Sequence, residues 1–212
     1  MIMRPSDEKE LQKREAIGTI RASRFVRRYA RLKKHIDVQI IREIHREIFK
    51  DAWQEIAGVY RYEEIKITDS KHFPPHHSQV VDQMINLDLI LKEKLEELES
   101  LQGVFEVSEK EFSEKESRIL DVIISVAAWV HHKITYILPF RDGNGRTARL
   151  ATNLILERHG LVGISIRIEK ENKNAYRNAL SQIDQYDDYE PLKELITKGI
   201  IDRYDGIPMK FS

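Results

Sequence analysis

The sequence predicts an all-α domain carrying one small β-hairpin. Apolar residues recur at spacings of three and four through most of the 212-residue chain, β-type alternation is confined to Glu64–Thr68, and there is no low-complexity tract or internal repeat. Cysteine is absent, which excludes a disulfide framework, a thiolate metal site and a thiol nucleophile, and points to a reducing, cytoplasmic compartment. No apolar run approaches the roughly 20 residues needed to cross a bilayer, and Met1 to Glu10 lacks the hydrophobic stretch of a secretory signal. Formal charge is zero overall, but the first fifty residues hold 14 Lys and Arg against 7 Asp and Glu, so the rest of the chain is net acidic.

Taken in order, residues from about Glu8 to Arg31 have high helix propensity and no proline, with Ile17, Ile20 and Phe25 as their sparse apolar positions. Asp37 is an N-cap for a core helix whose buried face is Ile40, Ile41, Ile44, Ile48 and Phe49. The pattern breaks at Ala57-Gly58-Val59-Tyr60-Arg61. Glu64 to Thr68 then alternates as a short strand, with a turn at Asp69-Ser70, and Pro74-Pro75 closes the hairpin. Helical spacing returns through Val80, Val81, Met84, Leu87, Leu91 and Leu95, and Gln102 to Ser108 reads as a loop. Glu116 to Ile137 is apolar on nearly every side, which marks a central, buried helix. Further helices fit Arg146 to His159, ended by Gly160, then Lys170 to Gln182 and Glu190 to Ile200.

Between two of these helices lies Pro139-Phe140-Arg141-Asp142-Gly143-Asn144-Gly145-Arg146. Its two glycines permit positive φ, which turns successive N–H groups toward one point, and the helix that follows adds its own unpaired N–H groups and positive dipole end. Such a nest binds anions, and a phosphate-bearing nucleotide is the expected occupant. Arg146 and Arg149 share one helical face there, placed to grip phosphate oxygens. Asp142 would repel phosphate unless a divalent cation bridges them, and Mg²⁺ is usually held by one or two carboxylates plus substrate phosphates. Asp142 is therefore the expected metal ligand. The competing reading is a tight Asp-Gly-Asn-Gly turn with the arginines paired elsewhere.

The run Leu138-Pro139-Phe140-Arg141-Asp142-Gly143-Asn144-Gly145-Arg146-Thr147-Ala148-Arg149 resembles the signature of the Fic (Fido) family, His-x-Phe-x-Asp/Glu-Gly-Asn-Gly-Arg-x-x-Arg. Gly58 to Arg61, the hairpin and Phe73-Pro74-Pro75 resemble that family's approach to its target-binding flap, so the resemblance covers roughly Asp37 to Ile200. It implies an N-terminal helical extension at 1–36, a Fic-type domain at 37–200 and a tail at 201–212. It also implies transfer of AMP from ATP to a hydroxyl of a target protein. By the same resemblance Asp142 coordinates Mg²⁺, Gly143, Asn144 and Gly145 line the nucleotide's anion hole, Arg146 holds the phosphates, and Arg149 meets the distal phosphate or a regulatory acid. Phe140 is a core anchor.

The first motif position, histidine in the family, is Leu138 here, in a naturally degenerate or a deliberately silenced copy. Leucine cannot accept the target's proton. General-base catalysis is worth about a hundredfold to ten-thousandfold, so transfer is expected to be crippled while nucleotide binding persists. His131 and His132 lie six and seven residues earlier, roughly 9 to 10 Å along a helix, and fit packing better than rescue. His72, His76 and His77 belong to the hairpin region, where solvated or target-contacting roles fit best. A non-catalytic, nucleotide- and partner-binding protein is the alternative reading.

Partners expected from this reading are a target protein docked at the flap by strand addition and a separate antitoxin-like chain supplying an acid to Arg149. The family's own inhibitory pattern, Ser/Thr-x-x-x-Glu-Gly/Asn, is not completed at Ser6–Glu10 or Ser165–Glu169. The basic stretch Arg21 to Lys34 lacks interleaved stacking aromatics beyond Phe25 and Tyr29, so it reads as a solvated helix face, with neither nucleic acid nor membrane as a partner.

Overall fold

The computed structural model describes residues 4–66, 72–101, 114–164 and 172–205, and among these it holds seven α-helices and no strand. They are α1 (Glu8–Arg31), α2 (Val38–Phe49), α3 (Val80–Ser100), α4 (Glu114–Ile137), α5 (Asn144–Arg158), α6 (Asn172–Tyr186) and α7 (Glu190–Asp205). The turn expected at Asp69-Ser70, the loop from Gln102 to Ser108 and the helix start at Lys170 lie outside the described residues. None of the described helices is long and apolar enough to cross a membrane.

Local chemistry sets the helix starts. The Asp37 carboxylate accepts the Ile40 N–H at 3.0 Å, and Asp7 does the same for Lys9 at 3.0 Å. Acidic Glu8 and Glu10 open α1 and basic Arg28 and Arg31 close it, complementing the helix dipole at both ends. α4 lies at the centre, packed against α3, α5 and α7, and its residues from Val126 to His132 are all buried. Burying each large side chain of this core, such as Ile123, Ile134 or Phe140, is worth about 1.5–3 kcal/mol.

The helix α1 packs on α2 and α5 through a face that large apolar residues do not mark. Ile17 and Ile20 are more than half exposed, whereas Leu11, Gly18, Ala22, Val26 and Ala30 are buried. Small residues let the backbones touch: a Cβ on Gly18 would lie 1.9 Å from the Ile48 carbonyl oxygen of α2.

The expected hairpin does not form among the described residues. From Arg61 to Lys66 no strand pairing occurs, because this segment's polar groups are engaged by other elements. The Arg61 N–H donates to the Pro139 carbonyl at 2.8 Å, the Arg61 guanidinium takes the carbonyls of Glu63 and Pro75, and the Glu64 carboxylate accepts the His77 N–H at 3.0 Å. The end of the expected strand and its turn, within residues 67–71, lie outside the described residues. At the C-terminal end α7 runs to Asp205, five residues past its expected end at Ile200, where Tyr204, one turn on from Ile200, packs partly buried against the core.

Candidate functional site

The loop between α4 and α5 is held by two side chains from outside it and one from within. α4 ends at Ile137, and the next residue, Leu138, adopts φ +47° and donates its N–H to the Ile134 carbonyl at 3.0 Å. Arg61, buried, caps this end: its Nε donates to the Leu138 carbonyl at 2.8 Å and its Nη2 to that of Ile137 at 3.4 Å. Within the loop, the Asn144 side chain accepts the Phe140 N–H at 2.9 Å and donates back to the Phe140 carbonyl at 2.7 Å. That buried amide is therefore a staple of the loop. What Asn144 presents outward is its backbone.

The third brace is His45 of α2. Its Nδ1 accepts the Gly58 N–H at 2.9 Å, so the proton sits on Nε2, which donates to the Asp142 carbonyl at 2.9 Å. The ring stacks on Phe140 with centroids 3.8 Å apart. Burial pushes its pKa down to about 4, against the Asp142 hydrogen bond and with the help of the Arg146 charge, so the imidazole is neutral near pH 7. Sequence reasoning missed His45; a histidine on the apolar face of α2 was its signal.

One of the two loop glycines uses its conformational freedom. Gly143 has φ +75° and is the N-cap of α5, and a Cβ there would lie 2.3 Å from the Phe49 ring. Gly145 is helical, since α5 begins at Asn144, two residues before its expected start. A Cβ on Gly145 would meet only Arg149 Nη1 at 3.4 Å, an ordinary contact. The missing side chain at Gly145 thus leaves open the approach to the first turn. There Thr147 is the first residue whose N–H closes onto the helix, at 2.9 Å from the Gly143 carbonyl, and the preceding N–H groups point out of the helix end.

They face a cavity of about 420 Å³ whose walls include Ile65, Lys66, Leu138, Asp142, Arg146 and Arg149, the size of a small-ligand site. The three arginines of this region differ in their partners. Arg141 pairs with Glu63 at 2.5 Å and lies over the Trp53 ring. Arg146 pairs with Glu15 of α1 at 2.9 Å, lies 3.5 Å from Asp142 and covers the Phe49 ring at 4.9 Å. Arg149 has no carboxylate within ion-pair distance among the described residues. Burial lowers its pKa, yet an arginine keeps its charge at neutral pH, so the cavity holds an uncompensated cation beside a helix N-terminus.

A sequence model of the Fic/DOC family matches residues 35–156. The chain belongs to the Fic/DOC family. It is 31% identical over 199 residues to the protein adenylyltransferase Fic of Nematostella vectensis, covering 92% of this chain and 40% of that protein. The structure of Fic-1 residues 134–508 from C. elegans superposes with a TM-score of 0.66 at 25% identity, covering 97% of this chain and 54% of that one. BepC of Bartonella tribocorum, solved with bound AMPPNP, shares the fold at a TM-score of 0.54 and 17% identity, over 92% of this chain and 88% of that one. The chain thus spans less than half the length of its curated Nematostella relative.

In this Fic fold the histidines of the central helix stand apart from the cavity. His131, fully buried, donates from Nδ1 to Thr152 Oγ1 at 2.9 Å, since that hydroxyl gives its own proton to the Ala148 carbonyl. Its Nε2 accepts from the Tyr176 hydroxyl at 2.7 Å, and burial drives its pKa to about 3. The chain of bonds stitches α4, α5 and α6 together. His132 bonds Asp184 at 2.8 Å, and His72 donates to the Tyr136 carbonyl at 2.7 Å. None of the three lines the cavity. Tyr176 is buried in the core, and Asn178 and Tyr186 are exposed.

Proposed function

We propose that this chain is the scaffold of a Fic-type protein adenylyltransferase whose nucleotide site is intact and whose transfer step is impaired at Leu138. The observation that carries the reading is Arg149, a partly buried guanidinium without a carboxylate, facing the cavity beside the open first turn of α5. A polyanion supplies what that arrangement lacks. ATP fits because relatives carry the adenylyltransferase name and a structural neighbour binds AMPPNP.

In this reading the N–H groups of Asn144, Gly145 and Arg146 bind phosphate oxygens, Gly143 starts the helix, Gly145 keeps the approach open, and Arg146 and Arg149 clamp the chain of phosphates. Asp142 would hold Mg²⁺. Its carboxylate is half-exposed at the cavity rim, and its Oδ1 accepts the Gly143 N–H and lies 3.5 Å from Arg146 Nη2. One free carboxylate oxygen next to a phosphate site suits an ion that takes its other ligands from phosphate and water. Bound there, Mg²⁺ neutralises phosphate charge.

Transfer joins a target hydroxyl oxygen to the α-phosphorus as the bond to pyrophosphate breaks, and the hydroxyl proton must go to a base. Leu138 lines the cavity and offers none. Incubation with labelled ATP, Mg²⁺ and a cell extract, comparing this chain with Leu138→His, tests the reading. Labelling by the histidine variant alone is expected. Labelling by neither, with ATP still bound, moves the balance to a nucleotide- and partner-binding protein, the reading that Leu138 itself favours. The exposed Tyr62 and Phe73, in the segments before Glu64 and His76, are where a target segment would dock, and Arg149 is the cation that an acid from a separate inhibitory chain would meet.

A further inference from the structure

Three metal-ligating side chains converge outside the cavity. Glu64, His76 and His77 each offer one ligand atom, and these atoms lie within 4.8 Å of one another. Glu64 Oε1 and His76 Nε2 are 3.3 Å apart, the spacing of about 3.3 Å that two ligands take around a tetrahedral Zn²⁺. The His76 and His77 rings lie side by side with centroids 4.3 Å apart.

The surroundings orient all three groups. His76 Nδ1 accepts the Ser78 N–H at 3.3 Å and lies 2.8 Å from Ser78 Oγ, contacts that hold the ring with Nε2 turned toward Glu64, where a metal would displace its proton. The His77 N–H bonds the same Glu64 oxygen at 3.0 Å and so fixes the carboxylate beside both rings. Glu64 and His76 are exposed and His77 partly so, which leaves room for a water in the fourth position. Hard cations favour all-oxygen sites, whereas two imidazoles with one carboxylate suit Zn²⁺.

We propose that Glu64, His76 and His77 form a Zn²⁺ site at the rim of the nucleotide cavity. The ion ties Glu64 to the start of α3. Ile65 and Lys66, the next residues, wall the cavity, and the second Glu64 oxygen faces Arg61 Nη1 at 4.0 Å. Arg61 holds the Leu138 carbonyl, so one carboxylate and one guanidinium link the ion to the motif loop. The proposal does not depend on AMP transfer, and its test reads metal binding alone.

Calorimetric titration of Zn²⁺ into the metal-stripped full chain should show one equivalent bound. His76→Ala and His77→Ala should each weaken it by more than about tenfold, and Glu64→Gln should weaken it less, because an amide oxygen remains. Zn²⁺ should raise the melting temperature of the wild type and leave the doubly substituted His76→Ala/His77→Ala chain unchanged. Imidazole NMR of the wild type, which needs no variant to fold, should show Zn²⁺ perturbing His76 and His77 among the eight histidines. Absence of binding, binding unchanged in the double variant, or perturbation at other histidines instead would overturn the site.

Discussion

Arg149 and Arg146 sit one turn apart and differ in their partners: Arg146 has Glu15 and Asp142, and Arg149 has no acid among the described residues. Gly143 is the residue on which their presentation depends, since its left-handed backbone starts α5 and its missing side chain admits the Phe49 ring. Gly143→Ala therefore meets two penalties, about 1–2 kcal/mol for the left-handed conformation and about 1–3 kcal/mol for overpacking. A fall in melting temperature of roughly 5–10 °C by circular dichroism is expected, and an unchanged melt would refute this account of the loop. Leu138 is the converse case, a leucine kept at φ +47° by the Arg61 bond to its carbonyl. Histidine is commoner than leucine at positive φ, so Leu138→His is expected to fold as well as the parent while supplying the base. Gly143, Arg146 and Arg149 were legible as a loop running into a helix. The role of Asn144 was not, because only the folded loop turns its amide back onto Phe140.

At the level of elements, α1 places an acid against a motif arginine. Glu15 and Arg146 are both partly buried, and a phosphate arriving at Arg146 must compete with that carboxylate. Removing it should help the nucleotide. Glu15→Gln is expected to tighten ATP binding by roughly three- to tenfold, since such a pair is worth about 1 kcal/mol, as read by calorimetry. Weaker binding would mean that Glu15 aligns the arginine for phosphate instead. The buried face of α1 was hidden in the sequence for a physical reason: Gly18, Ala22 and Ala30 bury little apolar area yet allow close approach, while the conspicuous Ile17 and Ile20 face solvent. By contrast, α2 and α4 announce their faces through large aliphatic residues at helical spacing. The segment after Arg61 misled because alternation is a local signal, and a ladder needs a partner strand that Arg61, Glu64 and the Pro139 carbonyl replace with other bonds.

Across the whole molecule, two buried neutral histidines couple stability to pH. His45, with a pKa near 4 in the folded state against about 6.5 unfolded, binds its proton less readily when folded. Its contribution is complete above pH 6.5 and is lost as pH falls toward 4, by about 3 kcal/mol at most, and His131 acts in the same direction. Urea denaturation should show stability dropping between pH 6.5 and 4, and His45→Gln should flatten that drop; a wild-type profile level across the window would contradict the burial assigned to both rings. By itself the sequence determined the helices with strong apolar periodicity, the Asp37 cap, the phosphate-type loop and the family it resembles, because caps, turns and helical faces are written within a few residues of one another. The tertiary structure alone decided that Glu15 reaches Arg146 across 131 residues, that His45 braces Asp142 across 97, and that among the cavity's arginines Arg149 is left without a carboxylate from the described residues. Those pairings arise from how helices pack, and packing brings together groups whose separation along the chain carries no periodic or local signal.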